Sequence, residues 1–313
     1  RLVQPSFAAA ALDRLRPRVQ RLTDALLDQA EREAAARGQT SPDRQMDLVQ
    51  AFAHPLPVAV ISDMLGIPDA DRAQVAAWTA VQFDTRDPAK LAQTFVALGQ
   101  FGAYLRDLFA RRRSAPQDDL ISQLVQEQQD GDKLSEDELL SIVVVLYVAG
   151  HITTVNLIGN SVAALLLHPD QATRLRADPA WVPGAVEETL RFWGPLEYSG
   201  SVRVALQPTV IAGIPLPRGT KLLLGLASAN RDPLRFSDPD TFDITRADAH
   251  RHVAFGRGIH LCLGAPLARI EAQIALQTLI RRFPALRLAH PDQPLVWGTA
   301  GGMRGLGTLP VLF

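Results

Sequence analysis

Residues 135–167 constrain the fold more than any other part of the chain. Ser135-Glu136-Asp137-Glu138 reads as a capping box, with Ser135 accepting the N–H of the third helical residue and Glu138 reaching back. Nothing stops the helix before His168-Pro169. About thirty residues at 1.5 Å each reach roughly 45 Å, enough to cross a whole domain. Apolar side chains surround this helix, which predicts burial in the core. Its polar residues gather in the middle: Gly150, His151, Thr153, Thr154, Asn156 and Asn160. A buried helix carries such groups mid-span either to bond its own carbonyls or to handle a ligand, and the residues alone leave both readings open.

A chain of 313 residues with 47% hydrophobic residues can surround such a helix, as one large core or two smaller ones. The net charge of −1 gives no electrostatic footprint for nucleic acid. No secretory or lipidation motif opens the sequence, and no run of about 18 or more unbroken apolar residues occurs. The expectation is a cytoplasmic protein with no membrane partner.

The second informative stretch is Ala254-Phe255-Gly256-Arg257-Gly258-Ile259-His260-Leu261-Cys262-Leu263-Gly264-Ala265-Pro266. It holds the only cysteine, so an intrachain disulfide and a four-cysteine zinc site are excluded. Leu267, Ile270, Ile274, Leu276, Leu279 and Ile280 then recur at helical spacing up to Arg282-Phe283-Pro284. Pro266 suits a first helical turn. Cys262 thus precedes a helix N-terminus, where free N–H groups favour a thiolate, and Gly256, Gly258 and Gly264 free the backbone to turn tightly against something flat. A lone cysteine is ordinarily a small buried hydrophobe.

The whole pattern, Phe-Gly-x-Gly-x-His-x-Cys-x-Gly opening a helix, resembles the heme-binding loop of the cytochromes P-450. The resemblance implies heme b, with Cys262 as the proximal thiolate ligand of its iron and so the metal-binding residue; thiolate donation favours O–O bond cleavage. It further implies that His260 pairs a heme propionate and that Phe255, with Gly256 and Gly264, packs the loop against the heme. Ala149-Gly150-His151-Ile152-Thr153-Thr154 resembles the oxygen-binding kink of the family's long helix. By that likeness Ala149, Gly150 and Thr153 are the catalytic positions: Gly150 leaves room for dioxygen, and Thr153 holds the proton-delivering water. The family usually has Asp or Glu where this chain has Ile152, which removes the natural proton relay. Protons then arrive through His151, Thr153 and water, a substrate hydroxyl substitutes, or the reaction needs less proton delivery; the first is the working expectation.

Glu187-Glu188-Thr189-Leu190-Arg191 lies on a helix over residues 183–193, and Glu188 and Arg191, three apart, can pair. The resemblance makes them the family's Glu-x-x-Arg structural lock behind the heme. Its usual third partner, an Arg, should fall near Thr241, where threonine supplies no charge. Arg203 is expected to grip a propionate. Residues 196–200 should face substrate, as should the turn at Gly301-Gly302-Met303, although a plain glycine turn explains the latter as well.

Elsewhere, residues 8–37 read as a helix turning Leu12, Leu15, Val19, Leu22 and Leu26 toward the core. Residues 47–65 read as helical, broken by Pro55 and Pro57, and residues 71–113 as two helices around Asp84-Thr85-Arg86-Asp87-Pro88. That region is the family's lid over the substrate pocket; composition supports only amphipathic surface helices. Arg111-Arg112-Arg113 reads as a solvated helix end and Asp130-Gly131-Asp132 as a turn. Residues 201–206, 209–212 and 220–226 read as short antiparallel strands and residues 286–313 as a last hairpin set. Arg1-Leu2-Val3-Gln4-Pro5-Ser6-Phe7 resembles a stretch inside an early helix of bacterial members, so the family's N-terminal strands and first helices are expected to precede this sequence.

The expected fold is therefore mainly α with small β-sheets, the cytochrome P-450 fold without its N-terminal part. It is read as one heme-thiolate domain over residues 1–313, helix-rich to 195 and β-containing from 196. The expected activity is monooxygenation: one oxygen atom from dioxygen enters a small or medium apolar substrate, in bacterial secondary metabolism or catabolism. Electrons are expected from a ferredoxin and its reductase, docking where Arg251, Arg257 and Arg269 could meet an acidic partner. Ile152 keeps alive a variant reaction (coupling, dehydration or peroxide-driven oxidation). A non-catalytic heme sensor fits less well.

Overall fold

A computed structural model describes residues 2–79, 88–129, 134–200, 202–298 and 300–313. The first helix, α1 (Ala9–Ala36), buries Leu12, Val19 and Leu27 at its expected period. Leu15, Leu22 and Leu26 are partly buried against the same core. A short strand, β1 (Gln45–Asp47), follows and takes Asp47 out of the helical stretch expected from there. A turn of π-helix then leads into α2 (Pro55–Leu65). Pro55 stands in the first turn of α2, so it starts that helix rather than breaking one.

Next come α3 (Arg72–Thr79), α4 (Pro88–Ser114) and α5 (Leu120–Gln129). The expected loop at 84–87 and the turn at 130–132 lie outside the described residues. The arginine run at the end of α4 is not uniformly solvated. Arg112 is buried, pairs with Asp119 at 2.7 Å and donates to the Gly66 carbonyl at 2.6 Å. Without those partners a guanidinium there would be prohibitively desolvated.

The long helix is α6 (Glu136–Leu167), 32 residues, entered through the expected capping box. It is long and apolar enough to cross a bilayer. It is instead packed by α2, by α8 (Val182–Trp193) and by α10 (Ala265–Arg282), as a core helix is. Between α6 and α8 lies α7 (Pro169–Ala177).

After α8 come β2 (Arg203–Val204), β3 (Thr209–Ile211), β4 (Ile214–Leu216) and β5 (Lys221–Leu222). They form two antiparallel pairs, β2–β5 and β3–β4, with Arg203 opposite Leu222. Residue 201 of the first expected strand lies outside the described residues. A single turn, α9 (Leu226–Ala229), opens an irregular meander that runs to the Cys262 loop and α10.

The tail adds β6 (Arg287–Leu288), β7 (Trp297–Gly298), β8 (Gly305–Leu306) and β9 (Pro310–Leu312). The hairpin expectation holds for β7–β8. β9 instead lies between β6 and β1, with Met46 opposite Val311. One continuous core runs from Phe7 to Phe313 through all the long helices.

Candidate active site at the Cys262 loop

The loop before α10 is shaped by two glycines in the left-handed region, Gly256 at φ 73° and Gly258 at φ 77°. Gly264 differs: its backbone is helical at φ −79°, and a Cβ there would lie 3.9 Å from the Cys262 Sγ. The loop closes through the Cys262 N–H, which donates to the Phe255 carbonyl at 2.9 Å. Cys262 is exposed, and the backbone N–H groups of Gly264 and Ala265 donate to its sulfur. Protein packed behind the sulfur pushes the thiol pKa up, against those N–H groups and Arg269, which pull it down. The helix-end contribution expected from the sequence is present, but burial outweighs it.

Two apolar surfaces are left open in this part of the protein. Beside Cys262, Ile259 is 98% exposed and Leu261 60% exposed. On α6 the open face carries Val145 (63% exposed) and Ala149, with Thr153 half-buried one turn further on. Helical spacing of four puts these three on one stripe.

The mid-helix polar groups mostly bond their own helix. Thr153 Oγ1 donates to the Ala149 carbonyl at 2.9 Å, and Thr154 Oγ1 to Gly150 at 3.3 Å. His151 Nδ1 sits 2.7 Å from the Tyr147 carbonyl, with the two rings 5.2 Å apart. Burial lowers the His151 pKa to about 4, so its ring is neutral near pH 7. His151 faces the core, some 200° round the helix from Thr153. The expected His151–Thr153 proton path is therefore not built. Gly150 also departs from expectation: a Cβ there would meet Ile61 of α2 at 3.1 Å. Its bareness admits the neighbouring helix, not space on the open stripe.

Behind the loop, Glu188 and Arg191 form two 2.7 Å hydrogen bonds with both side chains fully buried. The third partner is Arg246, whose Nε donates to Glu188 at 3.2 Å. Thr241 offers only its carbonyl, which accepts from Arg191 at 3.0 Å. The family pattern points to a cation near Thr241, and the meander delivers it five residues later. Arg203 is half-buried on β2, and His260 is exposed beside Ile259. Leu196 pairs with Met303, and the Glu197 N–H donates to Gly302. The two segments expected to face substrate thus pair with each other.

A second cluster was not foreseen. Arg269 donates to both Glu187 oxygens, at 2.6 and 2.9 Å, and lies 4.7 Å over the Phe255 ring. His252 Nε2 is 3.2 Å from Glu187. Burial alone would raise the Glu187 pKa, but these partners bring it down to about 2. Arg269 therefore spends its charge inside the protein and is not a free docking cation.

Among the described residues no group of three or more His, Cys, Asp and Glu side chains is placed to hold a metal ion. A metal bound at Cys262 would have to bring most of its own ligands, as porphyrin iron does, needing one axial thiolate from the protein. A single open thiol flanked by apolar Ile259 and Leu261 fits that requirement.

The family profile described as cytochrome P-450 matches residues 1–185 and 180–296. The chain belongs to the cytochrome P-450 family. It is 46% identical to cytochrome P-450 107B1 of Saccharopolyspora erythraea over 99% of this chain and 73% of that protein. It is 44% identical to the cytochrome P-450 monooxygenase PikC of Streptomyces venezuelae, over 99% of this chain and 72% of that one. The solved structure of the bacillaene polyketide synthase cytochrome P-450 PksS of Bacillus subtilis 168 superposes with a TM-score of 0.90 at 39% identity, over 99% and 77% of the two chains. As a cytochrome P-450 monooxygenase the protein is an oxidoreductase that binds heme b. The mainly helical fold with small sheets expected from the sequence is the P-450 fold.

Proposed function

We propose that Cys262 supplies the proximal thiolate and that the protein inserts one oxygen atom from dioxygen into a small or medium apolar substrate of bacterial secondary metabolism. The observation that carries this reading is the single open thiol on its N–H-lined loop, backed by the buried Glu188–Arg191–Arg246 cluster. Heme b, when bound, supplies the activation of dioxygen. Phe255, Gly256 and Gly264 shape the thiolate loop, and Arg203 and His260 are the partners for the propionates. Glu188 and Arg191 hold the meander in place and touch no substrate.

On the open face of α6, Ala149 and Val145 give apolar contact. The Thr153 hydroxyl commits its proton to the Ala149 carbonyl. Its lone pairs remain to accept from a water, which would carry the proton that Ile152 cannot. The relative PksS is named for polyketide synthesis, which favours a polyketide-like substrate. Electrons would come from a ferredoxin and its reductase, with Arg251 and Arg257 left exposed as docking cations. A cytoplasmic setting accords with this chemistry.

The test is the ferrous carbonyl spectrum of the heme-loaded protein and of Cys262→Ser. The parent should show the long-wavelength thiolate band and the variant should lose it; a retained band overturns the assignment. Screening polyketide-like, fatty-acid and sterol compounds for a Soret shift then identifies the substrate class. Ile152 supports one second reading, a reaction that needs little proton delivery. Turnover with peroxide alone at a rate matching that with ferredoxin would favour it.

A further inference from the structure

We propose that Glu187 is a positioning residue for the thiolate loop, fixing the Cys262 sulfur through Arg269 on one side and His252 on the other. This rests on Cys262 being the iron ligand. Glu187 lies on α8 beside the buried Glu188–Arg191 pair, yet none of its hydrogen bonds goes to that pair. It faces the Cys262 loop instead. Its carboxylate takes two tasks, with Oε2 shared between them.

The first task is to hold Arg269. The guanidinium is bound at Nε and Nη2 by both carboxylate oxygens, a fork that fixes its plane. In that plane it lies over the Phe255 ring at 4.7 Å. Phe255 in turn accepts the Cys262 N–H on its carbonyl. Ring, carbonyl and sulfur are thus held in sequence from one carboxylate.

The second task is to set a histidine tautomer. The Ala254 N–H donates to His252 Nδ1 at 3.1 Å, so that nitrogen must carry a lone pair. The ring proton is then on Nε2, which donates to Glu187 Oε2 at 3.2 Å. With Glu187 present, the imidazole is satisfied at both nitrogens while its side chain is 2% exposed. The neighbouring Val253 N–H is anchored separately by Asn230 Oδ1 at 2.7 Å. His252 and Arg269 therefore grip the loop residues on either side of the Ala254–Phe255 peptide, and Glu187 is the group they share.

Losing the carboxylate should do two things with the same sign. The loop loosens, exposing the sulfur to protonation, and the Arg269 charge that acts on the sulfur loses its counter-charge. Both raise the iron's midpoint potential. In heme-loaded Glu187→Gln we expect the thiolate carbonyl band to convert to the short-wavelength form roughly tenfold faster than in the parent, the loss of about one charge-assisted interaction. We also expect a more positive midpoint potential, while Glu187→Asp, which keeps the charge, stays near the parent on both measures. Parent-like conversion and potential in Glu187→Gln would overturn the proposal. If Glu187→Gln takes up no heme, Glu187→Asp decides: uptake with a stable thiolate band supports a charge-borne grip, and failure of both variants overturns it. Cys262→Ser run alongside separates this outcome from failure of the ligand assignment, because a band retained there indicts Cys262 rather than Glu187.

Discussion

Glu188 is a buried anion shared by two arginines behind the Cys262 loop. It accepts from Arg191 twice, from Arg246 and from the Asp243 N–H. Arg191, equally buried, spends its remaining donors on the carbonyls of Asn230, Pro239 and Thr241. Removing the carboxylate leaves two cations facing each other without an anion, so Glu188→Gln should cost about 3–5 kcal/mol. Arg246→Met leaves Glu188 with its fork to Arg191 intact and should cost less, about 1–3 kcal/mol. Chemical denaturation of the two variants checks the order; equal losses would mean that Arg246 is as central as Arg191. The Glu188–Arg191 half of this cluster was legible because helical spacing fixes which side chains meet. The Arg246 half was not, because an irregular meander obeys no period. Ile152 sets a further expectation at this scale. It stands next to Thr153, whose hydroxyl proton is already committed. Ile152→Glu should raise product formed per reductant consumed, and an unchanged ratio would show that protons reach the open face by another route.

Between helices, the informative contact is that of α2 with α6. Gly150 was read from its motif as space for a ligand, but the direction of a Cβ cannot be deduced from a motif. It points at Ile61, whose Cδ1 and Cγ1 would lie at 3.1 and 3.3 Å. Gly150→Ala gains about 1 kcal/mol of helix propensity. Overpacking of a core contact costs about 1–3 kcal/mol, so a net loss is expected. In an Ile61→Val background Cδ1 is gone and only the carbon at 3.3 Å remains, so the same change should cost less or be neutral. Thermal unfolding of the four proteins gives the coupling. If the double variant is as stable as the parent and still turns over, the bareness of Gly150 serves helix packing. If it is stable and inactive, Gly150 serves dioxygen after all. The helices themselves were readable in the sequence because α1 and α10 repeat apolar residues at the helical period, and α6, apolar on every side, is entered through a capping box and stopped at His168-Pro169. Strand β1 was not, since three residues have no period to show and their partner comes from the opposite end of the sequence.

Across the molecule, that pairing is what joins the helical first part to the tail. β9 takes β1 on one edge and β6 on the other, and the residues around it are among the most buried in the protein: Leu309, Val311 and Phe313. The Phe313 N–H donates to the Arg44 carbonyl and the Leu48 N–H to Leu309, so hydrogen bonds extend beyond the strands at both ends. Phe313 also packs on Phe283, at the end of α10, with ring centroids 4.6 Å apart. A charge at the centre of this arrangement should be felt far along the chain. Val311→Asp places an unpaired carboxylate where no water reaches, a change that costs several kcal/mol unless the strand leaves its place. If β9 acts as the common tie, amide exchange in Val311→Asp should quicken at residues 45–47 and 287–288 together. Much of α6 should keep its protection, because its contacts with α2, α8 and α10 do not pass through β9. Faster exchange confined to 287–288 would mean that the tail folds as a local hairpin set, as its sequence suggests, and that β1 is held by α1 and the core alone.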